Sequence, residues 1–140
     1  MLACDPARTP GCTSPLDGWR VIAEPAALDS AQWPSGSTVV RISPDDAFVI
    51  ASSMGDAPVV AGDAHAIITP EHGFAGATLT AHEVADIDLH HIEWALPAER
   101  PALAQGRVAG VPAKLVLHAD GSALLLVACA ARAELEERLA

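Results

Sequence analysis

The stretch ADIDLHHIEWALP, residues 85–97, places two aspartates, two adjacent histidines, a glutamate and a tryptophan close together. Imidazole beside carboxylate is the raw material of metal ligation and of acid–base chemistry. Which of these the stretch can support depends on its backbone. In a helix over 81–91, His82, Asp86 and His90 fall at i, i+4 and i+8 on one face, a spacing able to hold a divalent metal. In a strand over 88–95 the set divides. Asp88, His90, Ile92 and Trp94 then take one face, His91 and Glu93 take the other, and no three-ligand set survives. The plain structural alternative is a helix running out into a strand, with polar side chains at the surface and Trp94 as its anchor.

A second group lies in TPEHGF, 69–74. Glu71 and His72 on a glycine turn have the types needed for proton transfer, and Gly73 suits a positive-φ turn position. The same residues also read as an exposed turn between two strands. A third group is basic: Arg107 and Lys114 in GRVAGVPAKL are able to meet a carboxylate, a phosphate or an acidic partner strand. The spacing of Gly106 and Gly110 is not that of a phosphate loop, and no GxSxG surrounds a serine. Ligand or interface candidates are therefore Glu71, His72, Gly73, Asp88, His90, Arg107 and Lys114, with His82, Asp86 and His90 as the metal alternative.

The elements that must carry these residues are mostly strands. WRVIAE (19–24) reads as a short edge strand, and PAALDSAQWPSGS as a loop with one helical turn. TVVRIS and AFVIAS flank SPDD, a hairpin with Pro at the second turn position. HAIIT and GATLT read as two more strands around PEHGF. Thr80, with Glu83 three residues on, predicts a capping box and a helix carrying Val84, Ile87 and His91. LPAERPALAQG reads as a short helix bounded by prolines and ended by Gly106. RVAGVPAKLVLH and SALLLVACA read as strands joined at Asp-Gly. ARAELEERLA closes as an amphipathic helix with Leu135 and Leu139 on one side. The expected fold is α+β: a mostly antiparallel sheet built from hairpins, with two or three helices. Residues 1–18, dense in Pro, Gly, Ser and Thr, read as an irregular arm, and 19–140 as one domain, which the length also allows to be two small halves.

Composition narrows the function classes. The chain of 140 residues is 51% hydrophobic but only 4% aromatic, so alanine and valine must fill most of the core. A net charge of −10, with one lysine and seven arginines, argues against binding to nucleic acid or to an anionic membrane surface. The longest apolar runs are too short to span a bilayer. Three cysteines, Cys4, Cys12 and Cys129, form no CxxC pair and speak against a disulfide framework, although Cys4 and Cys12 could pair under oxidising conditions. A reduced, cytoplasmic protein is expected.

The last third, DLHHIEWALPAERPALAQGRVAGVPAKLVLHADGSALLLVACAARAELEERL, resembles the end of the sarcosine oxidase gamma subunit, itself similar to the folate-binding domain of the glycine-cleavage T protein. The resemblance rests on Asp-Leu-His (88–90), the proline-bounded stretch, Ala-Gly-Val-Pro (109–112), the Asp-Gly turn (120–121), an apolar strand and a terminal helix. Upstream, VVRISPDDAFVIA resembles that family's strand–turn–strand, and EHGF (71–74) stands where it has a Ser-His-Gly-like turn near the ligand-facing side. The spacer between 51 and 64 is short for the family's helix, and Glu71 replaces a serine. The resemblance implies half of a T-protein-like folate-binding domain. It further implies a small non-catalytic subunit that binds no cofactor alone and joins a larger protein subunit, through which tetrahydrofolate or flavin would enter. Homo-oligomerisation and a small metal- or ligand-binding enzyme are the alternatives.

Overall fold

The computed structural model describes residues 12–51 and 53–140. In chain order its elements are β1 (Ser14–Pro15), β2 (Gly18–Ile22), α1 (Pro25–Asp29), β3 (Thr38–Ser43), β4 (Asp46–Ile50), β5 (Ile67–Glu71), β6 (Phe74–Leu79), α2 (Ala81–His91), β7 (Ala102–Val108), β8 (Val111–Leu117), β9 (Ala123–Ala128), a 3-10 turn at Cys129–Ala131 and α3 (Arg132–Leu139). All strand pairings are antiparallel. The α+β class read from the hairpin pattern is the class observed. The chain divides into two compact units, one formed by Leu16–His72 and the other by the segment through Pro15 together with Gly73–Ala140.

The central unit holds a four-stranded sheet in the order β3-β4-β2-β5. Alternation along β2 turns Trp19 and Val21 to the face on which Ala47, Val49 and Ile68 lie, and Ala27 and Leu28 of α1 cover that face. On β2, Arg20 Nε and Nη2 donate to the two oxygens of Asp46 at 2.5 and 2.7 Å, and Nη1 donates to Glu71 at 2.9 Å. One guanidinium thus ties three strands together. The hydrogen bond to Asp46 holds its pKa above the usual arginine value, against the opposing effect of burial.

The terminal unit holds a five-stranded sheet in the order β1-β6-β9-β8-β7. Its core face carries Ala75, Leu79, Ala104, Val108, Val111, Ala113, Leu115, Leu117, Ala123, Leu125 and Val127, packed with Val84 and Ile87 of α2 and Leu135 and Leu139 of α3. At one edge, buried Thr13 donates its backbone N–H and its hydroxyl to Glu136 Oε1 at 2.9 and 2.6 Å, while Arg132 Nε donates to Thr13 Oγ1 at 2.9 Å.

Several expectations are corrected. β2 is not an edge strand, because β4 and β5 pair with it on both sides. Of the arm expected over 1–18, residues 1–11 lie outside the described residues. Thr13 to Pro15 is fixed by Glu136 and β6, and Gly18 already belongs to β2. β5 and β6 do not form a hairpin: β5 pairs with β2, and β6 pairs with β1 and β9. Gly73 is not among the positive-φ residues that a tight primed turn there would need. The helix expected over 96–106 is absent. Pro97 and Pro101 each remove a helical donor, and Ala102–Val108 pairs with β8 instead. RVAGVPAKLVLH is two strands rather than one, folded at Ala109-Gly110 with φ of 50° and 78°. Cys12 is disulfide-bonded and Cys129 is a thiol, an arrangement that an odd cysteine count permits.

Candidate functional site

α2 begins where the capping box places it. Glu83 N–H donates to Thr80 Oγ1 at 3.2 Å, and Thr80 N–H donates to Glu83 Oε1 at 3.1 Å. Val84 and Ile87 bury the inner face, so the helical alternative holds for 81–91 and His82, Asp86 and His90 come to lie outside. Asp86 and His90 meet there. His90 Nδ1 lies 3.2 Å from Asp86 Oδ1 and 3.0 Å from Asp86 O. Among the described residues no group of three His, Cys, Asp or Glu side chains is placed to hold a metal. Asp88 is exposed on the same helix.

After His91 the chain leaves the helix in extended conformation at Ile92. Trp94 then folds back over β7. Its Nε1 donates to Arg107 O at 2.9 Å, and its ring occupies the space a side chain on Gly106 would fill. The β7–β8 turn is drawn toward the same place, because Ala109 N–H donates to His91 O at 2.8 Å. Arg107 Nη1 donates to Gly110 O at 2.9 Å, and Arg138 Nη1 to Ala109 O at 2.8 Å.

A cleft of about 360 Å³ lies between these two segments. His90, His91, Glu93 and Trp94 line it from the α2 exit, and Arg107, Ala109 and Gly110 from the turn. Two of the candidates read from the sequence, His90 and Arg107, therefore meet in one cleft.

Comparison with protein-family models, curated proteins and solved structures returned no match. The site is accordingly read from its own residues.

The remaining candidates are dispersed. Glu71 is engaged by Arg20, and exposed His72 has its Nδ1 2.9 Å from Asp17 Oδ1. Gly73 contributes its carbonyl to Cys129 N–H at 2.8 Å. Lys114 Nζ donates to Gln105 Oε1 at 2.9 Å, on the sheet face away from the helices, beside a hollow of about 440 Å³ that Arg107 also borders. Sequence reasoning named neither His91 and Glu93 nor Ala109 and Gly110 as site residues. The signal for the turn was present: an X-Gly pair between Val108 and Val111 is a two-residue hairpin pattern.

Proposed function

We propose that the protein is a non-catalytic subunit or interaction module, of the kind its resemblance to the sarcosine oxidase gamma subunit implies, working against a larger protein that carries the flavin or folate. One observation supports this reading above others: the polar side chains best suited to chemistry are committed to intramolecular partners. Glu71 serves Arg20, His72 faces Asp17, His90 faces Asp86 and Lys114 serves Gln105. Groups held this way stabilise a scaffold rather than wait for a substrate proton. Among the described residues no helix is long and apolar enough to cross a membrane. A cytoplasmic location goes with the subunit reading, and the Cys12 disulfide is the observation that opposes it.

The test is affinity capture of the tagged chain from its own cells, read by native mass spectrometry with thiol trapping during lysis. A stoichiometric complex with a larger flavin-bearing chain is the expected result. A lone chain that turns over an amine substrate, or a self-assembly with no other chain, overturns the reading. A second reading, a small ligand-binding protein, is favoured by the cleft at His90 and Arg107.

A further inference from the structure

We infer that the cleft between the end of α2 and the β7–β8 turn binds a small organic carboxylate, with Arg107 as its anchor and the Trp94 indole as the surface for its apolar body. Arg107 differs in its setting from the four arginines that are held in ion pairs, and, unlike Arg100, it lines the cleft. Arg20, Arg41, Arg132 and Arg138 each lie against a carboxylate, at Asp46 and Glu71, Asp29, Glu136 and Glu134 respectively. Arg107 is exposed, and the only hydrogen bond of its guanidinium among the described residues goes to the neutral carbonyl of Gly110. In a chain of net charge −10 the remaining guanidinium donors are left for an acceptor from outside. The planar fork of donors on a guanidinium matches a carboxylate.

The wall beside Arg107 is the two-residue β7–β8 turn, with positive φ at both central residues. Ala109 holds φ of 50°, a left-handed conformation that costs a residue with a Cβ. Three hydrogen bonds from separate segments hold the turn there: Ala109 N–H to His91 O, Arg138 to Ala109 O, and Arg107 to Gly110 O. The turn is thereby fixed as a rigid side of the cleft. The third wall is Trp94, half-buried, with its N–H already bound to Arg107 O, so that its ring is held in place before any ligand arrives. The cleft volume, about 360 Å³, lies at the small end of ligand sites. Glu93 on the rim disfavours an anion and so supplies a test. The site is complete within one chain, so it stands or falls separately from the partner reading.

The experiment is NMR on the full chain, following the assigned Trp94 indole N–H and the Ala109 and Gly110 amides, with benzoate and benzylammonium as probes of opposite charge. Benzoate is expected to shift these signals saturably, with a Kd on the order of 1 mM for so small a probe, and benzylammonium is not. Arg107→Gln should weaken benzoate at least about tenfold, the loss expected for a charge-assisted contact. Because that change also removes the bond to Gly110 O, the deciding variant is Glu93→Gln. Glu93 makes no hydrogen bond among the described residues, and its neutralisation should tighten benzoate several-fold, a gain that misfolding cannot imitate. Absence of a saturable benzoate shift, an equal response to benzylammonium, or unchanged or weaker binding in Glu93→Gln overturns the assignment.

Discussion

Gly106 faces the core side of β7, the side shared by Ala104 and Val108, yet no side chain there is possible. A Cβ added at Gly106 would stand 2.5 Å from two ring carbons of Trp94. The same edge of the indole is held by the bond from Nε1 to Arg107 O, so the ring cannot withdraw without losing that bond. Gly106→Ala should therefore destabilise the protein by about 1–3 kcal/mol, the usual cost of overpacking, and should change the Trp94 fluorescence. Unchanged stability would mean that the ring is not held where the structure puts it. Ala109 presents the opposite case. Its left-handed conformation penalises its methyl group, so Ala109→Gly should raise stability by up to about 1 kcal/mol in a denaturant titration, with Asn behaving similarly. If the strained turn serves the carboxylate cleft, that gain in stability should come with weaker benzoate binding.

At the scale of elements, α2 depends on its first turn because its inner face buries only two large side chains, Val84 and Ile87. Thr80→Ala removes the acceptor for Glu83 N–H and should cost about 1 kcal/mol, with faster amide exchange in the first turn as the local readout. The capping box, the β3–β4 hairpin, the β8–β9 hairpin and the amphipathic α3 were legible from sequence because each is specified by residues close together in the chain. The pairing partners of β2, β5 and β6 were not, because strand order is decided by contacts between distant segments. Nothing local to WRVIAE distinguishes a central strand from an edge. The stretch 96–106 departs for a different reason. Its prolines stand where helix boundaries fall, but the ladder with β8 outweighs a weak local preference for helix. The cleft was half legible: His90 and Arg107 have recognisable chemistry, but only the fold at Ala109-Gly110 brings them together.

For the molecule as a whole, the excess of carboxylates decides how stability responds to acid. Eighteen acidic residues face eight basic ones, so several carboxylates are stabilised by hydrogen bonds rather than by charge pairs. Asp63 has its pKa lowered first by Glu24 N–H and then by His65 N–H, and Asp120 by the hydroxyl and N–H of Ser122. Glu136 is the consequential case. Burial opposes its charge, yet the two donors of Thr13 and the guanidinium of Arg132 outweigh this and hold its pKa below the ordinary 4.5. A carboxylate whose folded pKa is depressed contributes stability that is fully present above its unfolded pKa and is lost as pH falls through the folded value. The contribution from Glu136 is thus complete at neutral pH and declines below about pH 4.5, where the unfolded chain takes up its proton first. Glu136→Gln keeps an acceptor for Thr13 while removing the proton uptake. The variant should be less stable than the parent at pH 7, and the difference should shrink steadily as the pH is lowered toward 3, as followed by urea titration across that range. A difference that stayed constant with pH would show that the charge on Glu136 contributes nothing and that Thr13 is held by geometry alone.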